Sequence, residues 1–236
     1  MILLIGRGRA ALHLDHYFKS LGLVTSLWHY SEPVSKLVHS VSAARSIFFL
    51  VPDKQIPLVL EAHREILTTK AGSLFHCSGA LTHPEIRTLH PLMTFPKALF
   101  PSEFYPKIAF TTTQAFGWHE IDSKIANPLI HISEDQQALY HAQCVLAANM
   151  THLLWINFSH EMQRLGFTPA HLAPYLDRIS KNYMSLGSEA LTGPLVRQDE
   201  QTLEKNLKAL EGDPFHEVYS SFVTAYQQKI SHLRSL

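Results

Sequence analysis

Cysteine is nearly absent: the 236 residues hold two, Cys77 and Cys144. Two cysteines make no disulfide framework, and the composition fits a reducing, cytoplasmic setting. Excess charge of either sign is also missing. Lys plus Arg and Asp plus Glu are 20 each, and charged residues are 17% of the chain. That leaves no electrostatic footprint for nucleic acid or an anionic membrane, so neither partner is expected. No apolar run approaches a membrane span. Ile2 to Ile5 is too short for a signal peptide and follows no basic region. There are sixteen histidines, yet no H-x-x-x-H or C-x-x-C pair defines a preorganised metal site, so no metal is expected.

What is present begins with Met1-Ile-Leu-Leu-Ile-Gly-Arg-Gly-Arg-Ala-Ala-Leu12. Ile2 to Ile5 suits one buried parallel strand, and Ala11 to Phe18 reads as a helix. Between them Gly6, Gly8 and Ala11 form G-x-G-x-x-A. Strand, glycine turn and helix give this fingerprint its meaning. Gly6 turns the chain, Gly8 lets a pyrophosphate approach the backbone, and Ala11 lets helix pack on strand. The free N–H groups of the helix start then face the phosphates. A dinucleotide is the expected ligand.

The rest of the first half continues the alternation. Leu23 to Trp28 reads as a second parallel strand, with His29, Tyr30, Ser31 and Glu32 where an adenine ribose would lie. An acid at the strand tip marks NAD. Here the tip is His29 or Tyr30, with Arg7, Arg9, Ser31 and Lys36 within reach of a 2′-phosphate, so NADP is expected over NAD. Ser46 to Asp53 is a buried strand ending Val51-Pro52-Asp53, with Asp53 capping a helix over Lys54 to Thr69. Ser73 to Gly79 is a further strand, ending in a Ser78-Gly79 turn. Leu89 to Pro96 is too rich in proline for a central strand and reads as an edge strand or site loop. Ile108 to Thr112 and Pro128 to Ile132 are two more short strands.

At Ser133 the period changes. Ser133-Glu-Asp-Gln136 is a capping box, and a helical pattern runs from it to about Leu165, roughly 48 Å at about 1.5 Å per residue. Apolar residues surround it, which predicts burial on most faces. Helices over Pro169 to Leu186, Asp199 to Leu210 and Phe215 to Leu233 follow. The expected fold is therefore α/β. A Rossmann-like N-terminal domain with a mostly parallel sheet spans 1–133, and an all-α C-terminal domain for substrate binding and dimerisation spans 134–236. So much apolar helix surface in so small a domain predicts a homodimer.

A nicotinamide at the sheet edge implies hydride transfer, which needs a proton donor and groups that orient the substrate. His141, Val145 and Asn149 are spaced i, i+4, i+8 on one helix face. Buried polar groups there need partners, and a substrate carbonyl and carboxylate can serve. Arg197, after the Thr-Gly-Pro turn, suits a bidentate grip on a carboxylate, or else pairs with Asp199 and only fixes its loop. Asn182 is placed to face the same cleft. His90 is the proton donor available from the N-terminal domain, and Ser78 can orient a carbonyl or carboxamide. The expected catalytic set is thus His141, His90, Asn149, Asn182 and Arg197. The expected cofactor set is Gly6, Arg7, Gly8, Arg9, Ala11, Tyr30, Ser31, Val51, Pro52, Ser78 and Gly79. His13, His16, His216 and His232 read as surface helix residues, and Cys77 as core.

Six stretches together resemble a bacterial two-domain family: Ile5-Gly-Arg-Gly-Arg-Ala-Ala11, Val51-Pro-Asp53, His76-Cys-Ser-Gly-Ala80, His90-Pro-Leu-Met-Thr-Phe-Pro96, Tyr140 to Asn149, and Leu191-Thr-Gly-Pro-Leu-Val-Arg197. That family pairs a Rossmann-like, coenzyme-F420/NADP-oxidoreductase-type domain with a helical domain of formerly unknown function. Its pattern continues Arg-Gly-Asp where this chain has Arg197-Gln-Asp199. The resemblance implies kinship with the 6-phosphogluconate dehydrogenase-like superfamily, and some members resemble an alternative ketopantoate reductase of pantothenate biosynthesis. The usual ketopantoate reductases carry a lysine on the first helix of the second domain, and this long helix has none. The implied activity is an NADP-dependent reductase of a small 2-oxo acid, with 2-dehydropantoate (ketopantoate) the leading substrate. An imine reductase of pyrroline-5-carboxylate type and a non-catalytic NADP-binding sensor or assembly protein are the alternatives.

Overall fold

The computed structural model describes residues 1–70 and 73–230. The chain forms two compact units, Met1–Leu153 and Leu154–Leu236. The change from strands to helices falls earlier, at Ser133.

In the first unit five parallel strands stand in the order β2-β1-β3-β4-β5: β1 Ile2–Ile5, β2 Thr25–Trp28, β3 Ser46–Phe49, β4 Leu74–His76 and β5 Arg87–Thr88. β1 is apolar throughout because both its faces are covered. Ile2 and Leu4 join a core with Leu14, Tyr17 and Phe18 of α1 (Arg9–Ser20). Leu3 and Ile5 point the other way, to Leu37 and Val41 of α2 (Val34–Ala43) and to Ile56 and Leu60 of α3 (Ile56–Ala62). Each such buried side chain contributes about 1.5–3 kcal/mol.

A second, three-stranded sheet follows: β6 His90–Pro91, β7 Phe110–Thr112 and β8 Leu129–His131. β6 runs antiparallel to β7, with His90 opposite Thr111. β6 is an edge strand of two residues, the position that a proline tolerates.

Several expectations need correction. The helix expected over Lys54 to Thr69 is broken at His63 into α3 and α4 (Arg64–Leu67), with single 3₁₀ turns at either end. Asp53 caps nothing, because its Oδ2 accepts the Ser78 hydroxyl at 2.6 Å. His13 is wholly buried, not on the surface. The segment after β6 folds over α1, so that the His13 ring meets Pro96 O at 3.0 Å and the Tyr105 hydroxyl at 2.9 Å.

The long helix starts as expected, with Gln136 Oε1 closing on Ser133 N–H at 3.0 Å. It comprises α5 (Glu134–Val145), a π turn over Leu146–Met150 and α6 (Thr151–Arg164). Burial on most faces is not found: α5 buries only Gln137, and α6 buries no residue. Phe158 meets the Tyr175 ring at 5.7 Å, while Leu139, Leu146, Met150, Leu153 and Ile156 stay exposed.

The second unit continues with α7 (Pro169–Leu186), α8 (Pro194–Arg197), α9 (Glu200–Ala209), α10 (Phe215–Ala225) and a closing π turn, Tyr226–Ile230. The last helix expected, Phe215 to Leu233, ends beyond the described residues, as does His232. Asp199 caps α9 by accepting Thr202 N–H at 3.1 Å. Among the described residues only Leu172 and Leu203 are buried apolar side chains of this unit. No described helix is long and apolar enough to cross a membrane.

Candidate active site

The glycine turn is built by steric necessity. Gly6 has φ +133°, and a Cβ there would strike the Leu50 carbonyl of the neighbouring strand end. A Cβ on Gly8 would meet nothing within 4 Å, so open space faces the turn. Gly8 is the N-cap of α1, and no side chain caps the helix. The first N–H groups of α1 are therefore left for an anion. Ala11 is fully buried against the sheet.

Two cavities flank this turn. One, of about 430 Å³, is lined by Gly6, Arg7, Gly8, His29, Tyr30, Val51 and Pro52 among others. At the tip of β2, Glu32 does not face the cavity as a free acid. It accepts His29 N–H at 2.8 Å and pairs with Lys36. Ser31 is hydrogen-bonded to the His29 ring at 2.9 Å and does not line the cavity. Uncapped N–H groups, open space at Gly8 and an arginine fit the phosphates and ribose of a dinucleotide.

The other cavity, of about 610 Å³, is lined by Arg9, Ala10, His90, the Leu92–Phe95 segment, His141, Cys144, Val145 and Asn149. His141, Val145 and Asn149 thus share a face, as their spacing predicts. Asn149 lies within the π turn, an irregularity often found at functional sites. The arginines separate: Arg7 lines the first cavity and Arg9 the second. Among the described residues, Arg9 is the only Lys or Arg lining this second cavity.

Two of the imidazoles that line it converge on Gly79. A Cβ there would lie 3.0 Å from His90 Nε2 and closer still to His141 Nδ1. The two rings are 6.0 Å apart and nearly perpendicular. His141 Nδ1 is buried without a hydrogen-bond partner among the described residues. Burial, reinforced by His141, pushes His90 down to about 4, so it is neutral at pH 7. His90 Nδ1 is 2.9 Å from the Tyr140 hydroxyl. Burial pushes Tyr140 up to about 12. His76, at the end of β4, is also held neutral, near 4, by burial.

Other expected residues have partners or a cavity within their own unit. Ser78 is spent on its own loop: it donates to Asp53 and accepts Ala80 and Leu81 N–H at 3.2 and 2.9 Å. Asn182 lines a cavity of about 590 Å³ within the second unit, beside Tyr175, Arg178 and Tyr183. Arg197 ends α8 in the same unit, and its charge helps hold Asp199 below the usual carboxylate range, after the Thr202 hydrogen bonds. The Cys77 thiol is pushed up to about 12 by burial and carries no thiolate chemistry at neutral pH. No described group of three His, Cys, Asp or Glu side chains is arranged to hold a metal ion. The role of Tyr140 is not legible in the sequence, because its partner lies 50 residues away.

This architecture is the fold of NAD(P)-dependent oxidoreductases. Residues 115–226, a span that takes in β8 and most of the helices after it, match the profile of a family described as a domain of unknown function, DUF2520. It resembles a Bacteroides fragilis protein proposed to be an NADP oxidoreductase, with 18% identity, a TM-score of 0.69 and coverage of 97% of this chain and 98% of that one. A Thermotoga maritima protein is similar at 19% identity and TM-score 0.68, over 99% and 100% of the two chains. A Streptomyces aurantiacus imine reductase matches at 14% identity and TM-score 0.64, over 98% and 94%. No curated protein sequence matches the chain.

Proposed function

We propose that this protein is an NADP-dependent reductase of a small 2-oxo acid, with ketopantoate the first substrate to try. The observation that carries the reading is the cavity beside the glycine turn, where His90 and His141 meet at Gly79 and Arg9 is the one cation among the described lining residues. Reduction of a 2-oxo acid adds a hydride to the carbonyl carbon and a proton to its oxygen, giving a 2-hydroxy acid. The nicotinamide, when bound, supplies the hydride. The chain supplies the rest: His141 or His90 serves the carbonyl oxygen, Arg9 holds the carboxylate, and Asn149 orients the substrate.

NADP is preferred over NAD because Glu32 is turned away to His29 and Lys36, while Arg7 lines the cavity where a 2′-phosphate would lie. The expected homodimer is kept in this reading, since the described residues of the second unit form almost no core of their own. An imine substrate is the second reading. It is favoured by the apolar Leu92, Met93, Phe95 and Val145 that share the cavity.

NADPH oxidation by the purified protein, with ketopantoate, other oxo acids and pyrroline-5-carboxylate, tests the proposal. NADH is run in parallel. Turnover on an oxo acid with NADPH preferred supports it. Turnover on imines alone replaces the substrate class. NADPH binding without turnover of any of these leaves a sensor.

A further inference from the structure

His90 and His141 both face the carbonyl in the reading above, and the structure gives them different tasks. The difference lies in what stands behind each ring. His90 is on β6, opposite Thr111 of β7. Behind it, its Nδ1 meets the Tyr140 hydroxyl of α5 at 2.9 Å, with the two rings edge to face. In front, its Nε2 points at Gly79 and the cavity. His141 has no such backing, because its Nδ1 faces Gly79 and finds no partner among the described residues.

We infer that Tyr140 is a positioning residue that fixes His90 as the Nε2–H tautomer, making His90 a neutral hydrogen-bond donor to the carbonyl oxygen and leaving proton delivery to His141. This rests on the reductase reading for its chemistry, though the tautomer itself does not.

The direction of the Tyr140–His90 bond follows from the donors available. A phenol has one proton to give. Around the Tyr140 oxygen stand His90 Nδ1, the Thr111 hydroxyl and the Cys144 thiol. An imidazole nitrogen is a far better acceptor than a sulfur, so the phenol proton goes to Nδ1. Thr111 has its own proton to give to the Tyr140 oxygen or to the His90 carbonyl, 3.4 Å away. With Nδ1 accepting, a neutral His90 must carry its proton on Nε2, which is the atom facing the cavity. Of the other titratable groups near the ring, His141 and His76 reinforce burial in keeping it uncharged, and only Asp53 opposes it. A neutral imidazole is a poor acid but a good electrophile towards a developing alkoxide, and a fixed donor costs no reorganisation. His141, whose Nδ1 is unpartnered at the same point, is left to deliver the proton to substrate.

The test is ¹⁵N NMR of the full-length protein labelled at histidine, with the His90→Gln variant identifying the His90 signals by their loss. At pH 7 the wild type should show His90 with an unprotonated Nδ1 and a protonated Nε2. In Tyr140→Phe the two nitrogens should move towards averaged shifts. An Nδ1–H tautomer or an imidazolium in the wild type would overturn the proposal, and so would a Tyr140→Phe spectrum unchanged from wild type. If Tyr140→Phe fails to fold, the wild-type spectrum alone still decides the tautomer. Should an oxo acid be reduced, Tyr140→Phe is expected to lower kcat by about 10- to 100-fold while leaving NADPH affinity unchanged. If the tautomer is as inferred and no oxo acid turns over, the reductase reading falls and the Tyr140–His90 assignment stands.

Discussion

At the scale of single residues, Gly79 is the position where a methyl group should do most damage. Its backbone is the point at which His90 and His141 meet, and a Cβ there would displace both rings. Gly79→Ala is expected to lose about 100-fold in kcat, measured by NADPH oxidation, since a misplacement near 1 Å costs about that much. Unchanged turnover would remove the two imidazoles from the chemistry. His76 gives a second prediction, about stability. It is buried and neutral, near 4 in the fold against an ordinary 6.5. Its contribution is therefore whole above pH 6.5 and is lost as the pH falls towards 4, because the unfolded chain takes up the proton first. Each unit in that window costs up to about 1.4 kcal/mol. Urea unfolding at pH 7 and 4.5 should show the wild type losing about 2 kcal/mol more than His76→Gln, and equal losses would refute the assignment. These roles differ in how far the sequence displays them. Gly6 is legible because strand, turn and helix are consecutive. Gly79 is not, since its constraint comes from His90 and from His141, which reaches it from α5.

At the scale of elements, the π turn at Leu146–Met150 carries the most specific expectation. A π turn is in effect one residue inserted into an α-helix, and it is kept at some cost to the regular hydrogen-bond ladder. It places Asn149 on the cavity wall with His141 and Val145. Deleting Ala147 should restore a continuous α-helix. Melting temperature, followed by circular dichroism, is expected to hold or rise, and reductase turnover to fall at least about tenfold through loss of orientation. A variant that kept full turnover would make the turn a packing feature only. The helix itself is legible from its capping box and its period, and so is the shared face of His141, Val145 and Asn149. The π turn is not, because a period of 3.6 over many residues absorbs one extra residue without trace. Helix α2 and strand β5 escape the sequence for other reasons. Val34–Ala43 mixes serine, histidine and valine with no strong cap, and two residues are too few to display a period of two.

At the scale of the whole molecule, the apolar residues of the long helix and of the second unit need covering. Their density in the sequence predicts burial, and the structure leaves many of them exposed. Ile156, Tyr175, Tyr183, Met184 and Leu186 are all exposed, Met184 at 83%, while only Leu172 and Leu203 are buried apolar side chains among the described residues of that unit. Folding such helices returns little of the conformational entropy it costs, about 1–2 kcal/mol per residue for the backbone alone. A second copy of the chain is the partner already expected from the sequence, and a self-complementary apolar face is how most symmetric dimers are built. Light scattering on purified protein should therefore give twice the chain mass at micromolar concentration. Met184→Asp combined with Tyr183→Asp should shift it to a monomer and lower the melting temperature by more than about 5 °C, as a loss of a kcal/mol or two would do in a domain of this size. A wild type that is monomeric with the same high melting temperature would mean that the helices need no second chain, and the dimer would have to be abandoned.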